Sequence, residues 1–213
     1  MRSIKPKMNY LRKKRMKNAG DPKGFWGRYT LRGMNRDHQS LVQFGLAEVP
    51  VEADATCLDV GCGGGKTLSV LAKEAFRGNV YGVDISKTSV RQSKKLNKKA
   101  VRSGQMTIDL ADVHALPFDN DAFDLVTAVE TFYFWQDKPS ALREIARVLK
   151  KSGILLVMLD AYDDGVTDYS VLKKEINLEL NTPEDVLSML TAAGFSSATY
   201  ETRDKSIVFK AIK

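Results

Sequence analysis

The segment that most constrains this chain is Leu58-Asp59-Val60-Gly61-Cys62-Gly63-Gly64-Gly65-Lys66-Thr67, an apolar run that passes through a glycine-rich bend into helical sequence. Strand, glycine loop and helix in that order form the first unit of an α/β sheet that binds a ligand at its strand ends. Different ligand chemistries compete for such a loop. A P-loop needs four residues between its first glycine and the Gly-Lys-Thr. Here Gly61 to Gly65 encloses three and Val60 stands at the required position, so the loop is too short to wrap a β-phosphate. A dinucleotide fingerprint needs its third glycine where Lys66 stands, which weakens that reading less severely.

A third reading is a loop with no phosphate to cradle. Its glycines let the backbone approach an amino-acid-bearing nucleoside, and the following helix turns its positive end toward a carboxylate. S-adenosylmethionine has that shape. Val83-Asp84 closes the next apolar run, where an acid can accept both ribose hydroxyls. Ala111-Asp112-Val113, followed by Leu116-Pro117-Phe118, sets a carboxylate and apolar walls where an adenine needs them. Each of these signals is weak alone, since an acid at a strand end is often only a helix cap.

The periodicity around the loop is that of an α/β domain. Parallel strands are expected at Thr56 to Val60, Val80 to Asp84, Met106 to Leu110, Phe123 to Val129 and Ile154 to Leu159. Ser86 is placed to cap a helix running to about Ser103, with Gly104 just beyond it. Leu142, Ile145, Ala146 and Leu149 trace one face of a helix expected to close with Lys150-Lys151 and Gly153. Thr182-Pro183-Glu184-Asp185 opens the last helix, and Gly194 ends it. Ser197 to Arg203 and Ser206 to Ile212 read as a hairpin, so the otherwise parallel sheet should finish with an antiparallel strand.

The succession LDVGCGGGKT, VYGVDIS, ADVHALPF, FDLVTAVETFYFW, LREIARVLKKSGILLVM and TPEDVLSMLTAAGF resembles the class I S-adenosylmethionine-dependent methyltransferases, in particular the ubiquinone/menaquinone-biosynthesis (type 11) group. The resemblance covers roughly Thr56 to Lys213 and is more specific for fold and cofactor than for substrate. It implies a Rossmann-like α/β fold with a seven-stranded sheet in the order 3-2-1-4-5-7-6, helices on both faces and the cofactor across the ends of the first strands. By that resemblance Asp59, Gly61, Cys62 and Gly63 hold the methionine part, Asp84 and Ile85 the ribose and adenine edge, and Asp112 and Val113 the adenine. Glu130, after the fourth strand, lies near the transferring methyl, or is a strand-end acid satisfied by backbone amides.

Ahead of the first strand, related enzymes often place a helical lid over the cofactor. Trp26 and Tyr29 are the aromatics there that could pack on a sulfonium, although a helix docking on the core would use the same residues. His38 is expected in the acceptor pocket as a candidate base, beside a face of Met34, Leu41, Val42 and Gly45. Tyr133, Phe134 and Trp135 are expected as an acceptor wall, with Tyr133 the second candidate for the chemistry. Ala161 to Asn181, with Tyr162 and Tyr169, is the other candidate wall. His114, in the adenine loop, reads as an ordinary surface residue.

Charge divides the chain. Residues 1–36 carry twelve Lys or Arg against one acid, whereas residues 37–213 carry 21 basic and 25 acidic residues. The expected organisation is a basic extension over 1–24, a helical lid over 25–50 and the methyltransferase domain over 51–213. The extension keeps an RNA methyltransferase open as an alternative to a small-molecule enzyme, and a cofactor-binding module without transferase activity is another. Against an RNA substrate stand the net negative domain and the lack of an Asn-Pro-Pro-Tyr-type motif after the fourth strand. No membrane-spanning run or signal-peptide core is visible, so a cytoplasmic protein is expected. Cys57 and Cys62 are expected as reduced thiols, and no ligand cluster suggests a metal.

Overall fold

Apolar strand runs with no polar alternation must be covered on both faces, and here they are. The structure, a computed structural model, describes Leu31, residues 38–170, Lys173 and residues 178–213. The basic extension and the front of the lid, with Trp26, Tyr29 and Met34, lie outside the described residues.

The chain runs α1 (Gln39–Ala47), β1 (Thr56–Val60), α2 (Lys66–Glu74), β2 (Asn79–Asp84), α3 (Lys87–Leu96), α4 (Lys98–Arg102), β3 (Met106–Leu110) and β4 (Phe123–Val129). A 3₁₀ turn at Phe132–Phe134 leads to α5 (Lys138–Val148) and β5 (Leu149–Leu159), and the chain closes with α6 (Pro183–Ala192), β6 (Ser197–Arg203) and β7 (Ser206–Ile212). The seven strands lie in the order β3-β2-β1-β4-β5-β7-β6, as the resemblance implied. β7 is antiparallel to both β5 and β6. β5 shows how the sheet divides the core: Leu155, Val157 and Leu159 face one cluster, with Leu142 and Ile145 of α5 and Val186 and Leu190 of α6. Leu156 and Met158 face the other, with Leu41 and Phe44 of α1 and Leu68 and Leu71 of α2. That period of two is what a fully sandwiched strand requires.

Two expected boundaries move. The helix expected from Ser86 to Ser103 is interrupted at Asn97, which separates α3 from α4. The cause is a side chain with a competing partner. Asn97 Nδ2 donates to the carbonyls of Gly65 at 2.9 Å and Ser93 at 3.1 Å, and Asn97 Oδ1 accepts from Ser69 Oγ at 2.7 Å. α5 ends at Val148 rather than at Lys150-Lys151-Gly153, and β5 begins at Leu149, because Phe123 of β4 already pairs with Leu149. The remaining punctuation is where the residue chemistry put it: Ser86 and Thr182 cap their helices, the latter in a full capping box with Asp185.

Asn97 also explains Gly65. This glycine has φ +81, and an added Cβ would stand 2.2 Å from Ser93 Oγ. Gly65→Ala should therefore combine left-handed strain with a clash against α3 and destabilise by about 2–4 kcal/mol. Asn97→Ala, which loses the tie but keeps the space, should lose about 1–2 kcal/mol. Urea unfolding of both variants, with the glycine change the more severe, checks the order.

Candidate active site

The glycine loop is hung from the end of β2. The N–H groups of Gly61 and Cys62 both donate to the Val83 carbonyl, at 2.8 and 3.0 Å, and Gly63 N–H donates to Asp84 Oδ2 at 2.9 Å. Asp84 Oδ1 accepts from Ser86 N–H at 2.8 Å, so the same carboxylate shapes the turn into α3.

Two clefts open on either side of this loop and share Gly61, Gly63 and Val129. The first is floored by Val83, Asp84 and Ile85 at the end of β2, by Ala111 to His114 after β3, and by Glu130, Thr131 and Phe134 to Gln136 after β4, with Leu31 above. The second is bounded by Asp59, by Lys66 and Thr67 at the start of α2, and by His38, Gln39 and Gln43 of α1.

An adenosyl group joined to an amino acid fits this pair. At Gly63 an added Cβ would meet nothing nearer than 3.7 Å, so that face of the loop is open to a ligand. Among the described residues no side chain caps the N-terminus of α2, which leaves its first-turn amides for a carboxylate. Asp59 and the strand-end acids line the clefts, where they could face an ammonium and a sulfonium. Thus Asp59, Gly61, Gly63, Asp84, Ile85, Asp112, Val113 and Glu130 all border one or other cleft, as does Cys62. The Cys62 thiol, however, donates to Ser93 Oγ at 3.9 Å, and burial pushes it well above the usual thiol range. Tyr29 lies outside the described residues.

Three residues converge beneath the junction of the clefts. Glu130 has φ +56, an uncommon conformation for a residue with a side chain, and it ends β4 with its carboxylate buried. Tyr133 Oη donates to Glu130 Oε2, Asp160 N–H donates to Glu130 Oε1, and His38 Nε2 stands 3.7 Å from Glu130 Oε2. Burial raises the Glu130 carboxyl, while the His38 charge and the two donors pull it back. Burial and the adjoining Glu130 hold the Tyr133 hydroxyl well above its usual range. The strand-end reading of Glu130 is met by the Asp160 amide, and the residue also borders the first cleft.

The expected aromatic wall is divided. Tyr133 turns inward to Glu130, whereas Phe134 and Trp135 border the first cleft, with Trp135 Nε1 donating to Thr131 Oγ1 at 3.3 Å. Sequence reasoning missed Thr127, whose hydroxyl donates to Asp59 Oδ1 at 2.7 Å, and Asp160, which accepts from Ser206. It also missed the bonds of His114. A threonine inside an apolar strand was the one available signal for Thr127. Among the described residues no His, Cys, Asp and Glu group has the arrangement of a metal site.

A glycine loop and three strand-end acids around two adjoining clefts, on a 3-2-1-4-5-7-6 sheet, match the Rossmann-like fold of the class I methyltransferases. Residues 58–157 match the methyltransferase-domain family. The chain is 33% identical over 141 residues to an O-methyltransferase of Penicillium expansum, covering 65% of this chain and 51% of the relative. It is 38% identical over 102 residues to the 2-methyl-6-phytyl-1,4-hydroquinone methyltransferase of Synechocystis, covering 48% of this chain and 31% of the relative. The chain thus spans about half the length of the first curated relatives it matches. In fold it is similar to an S-adenosylmethionine-dependent methyltransferase from Aquifex aeolicus, with a TM-score of 0.70 and 19% identity, covering 86% of this chain and 97% of that one.

Asp59 gives the site a measurable electrostatic signature. Burial pushes its carboxyl up to about 7 despite the Thr127 hydrogen bond, and the neighbouring Asp84 charge adds to the rise. A raised folded-state value means that the native state binds more protons than the unfolded chain. Asp59 therefore favours folding most at pH below about 4, and that contribution is lost as pH rises through about 7. Asp59→Asn should flatten this part of the thermal stability profile and raise the melting temperature of the empty protein at neutral pH. The same variant should bind S-adenosylhomocysteine more weakly. Melting curves across this pH range, with and without that ligand, test both signs.

Proposed function

We propose that this protein transfers a methyl group from S-adenosylmethionine to a small molecule by direct in-line displacement, and that the accepting atom carries a proton it must lose, as a hydroxyl does. The observation that carries the reading is the approach of His38, on the second cleft, to Glu130, on the first, at 3.7 Å, with Tyr133 bonded to Glu130 from outside both clefts. The resemblance to O-methyltransferases in sequence supports it.

The cofactor supplies a methyl group already activated on a sulfonium. The protein's work is then to position the acceptor, exclude water and accept a proton. The two sides of the glycine loop hold the nucleoside and amino-acid ends. His38, on the first turn of the helix that overhangs Asp59, takes the acceptor's proton on its ring. Glu130 faces the imidazolium that results, and Tyr133 with the Asp160 amide keeps the Glu130 carboxylate aimed at it. Tyr133 thereby serves the acceptor pocket from behind Glu130 rather than as a free wall.

Purified protein should bind S-adenosylhomocysteine and pass labelled methyl from S-adenosylmethionine to members of a panel of small phenols and enols. His38→Ala should lower kcat about 100-fold with cofactor affinity changed less than about threefold. Tyr133→Phe should lower it by about tenfold, the effect of a lost orienting hydrogen bond. Full turnover in His38→Ala removes the histidine from the chemistry, and a label that reaches no small molecule overturns the reading.

A further inference from the structure

The adenine end of the first cleft contains a histidine held between two acceptors. His114 Nδ1 is 2.6 Å from Asp112 Oδ1, and His114 Nε2 is 3.1 Å from the Asp137 carbonyl. The same Asp112 oxygen accepts the His114 backbone N–H at 3.0 Å. Asp137 is the N-cap of α5: its carbonyl accepts Ala141 N–H and its carboxylate accepts Ser140 N–H.

His114 thus has a partner on each ring nitrogen, the Asp112 carboxylate from the loop after β3 and the Asp137 carbonyl from the start of α5. The Asp112 carboxyl is held below its usual range by its hydrogen bonds to His114 and by the ring's charge. The ionisable groups on the adjoining elements are Asp112 after β3, Asp137 at the start of α5, and, further along that helix, the Glu144–Arg147 pair. This pair binds the Leu116 N–H and carbonyl in the same loop.

We propose that His114 is a positioning residue for the adenine end of the cofactor site: it latches the loop after β3 to the start of α5 and fixes the Asp112 carboxylate. Both elements it joins border the cleft, through Asp112 and Val113 on one side and Trp135 and Gln136 on the other. With Asp112 Oδ1 occupied by the latch, Oδ2 is left for an adenine amino group. Loss of the ring opens both contacts and lets loop and helix part. The proposal rests on the reading of this cleft as the cofactor site.

The experiment uses the full chain and S-adenosylhomocysteine as probe. His114→Ala should weaken binding of the probe several-fold, and His114→Gln, whose amide still reaches one of the two partners, should recover part of that loss. Turnover at saturating cofactor should stay near the wild-type value in both, so that the loss lies in cofactor binding. Melting curves show whether each variant is folded. Wild-type affinity in a folded His114→Ala overturns the latch, as does a loss that His114→Gln does not recover at all. Failure of the wild type to bind the probe instead overturns the cofactor reading.

Discussion

The turn at the end of β2 is the constraint on which the site depends. Val83 offers one carbonyl to two loop amides, and Asp84 divides its two oxygens between Gly63 and Ser86. Ser86 then caps α3, and Ser93 and Asn97 on that helix return to Gly65 at the far end of the same loop. One β–α unit therefore clamps the glycine loop at both ends. This matters because glycines in left-handed conformations surrender more chain entropy on folding than any other residue. A loop of such residues keeps one shape only if its hydrogen bonds are supplied from outside it. β2, which contributes no nucleophile and no base, is in this sense the scaffold of the binding surface.

The second organising feature is buried negative charge. Among the described residues neither Asp59 nor Glu130 pairs with a lysine or arginine, and both are held back from ionising by their burial. Isolated carboxylates in an apolar setting are costly unless something compensates them. Thr127, Tyr133, His38 and the Asp160 amide do so in part. A ligand carrying an ammonium and a sulfonium would complete the compensation, so the empty protein holds a destabilised arrangement that its cofactor relieves. Stability given up at the site and recovered on binding is the usual relation between the two.

Much of the frame could be read from the residues because each signal was local. Strand runs, the caps at Ser86 and Thr182 and the hairpin over Asp204-Lys205 depend on near neighbours, and all appear. Counting excluded a P-loop, since one residue is missing from the glycine loop, and the resemblance then supplied the ligand class. What could not be read depends on partners distant in sequence. The break at Asn97 is invisible without the Gly65 carbonyl, 32 residues away. The latch at His114 is invisible without the Asp137 carbonyl, 23 residues away. The aromatic run misled for a geometric reason. In a 3₁₀ turn successive side chains point about 120° apart. Tyr133 therefore goes to Glu130 and Phe134 to the first cleft, which Trp135 also borders, where a linear sequence suggested one continuous wall of the three.

A nucleophile–base–acid series has a place when a covalent bond to the protein must form and break. On the proposed reading the bond to be broken is already weak in the cofactor, and what the protein must add is alignment and the removal of one proton. His38 and Glu130 come from opposite sides of the glycine loop, one before β1 and one after β4, and they meet only because the loop between them is clamped to β2. A residue pair separated by nearly half the chain can be matched to a transition state only if the intervening elements are rigid. On the proposed reading the clamp on the loop and the His38–Glu130 pair are therefore parts of one device, in which the fold holds the approach angle and the acids hold the charge.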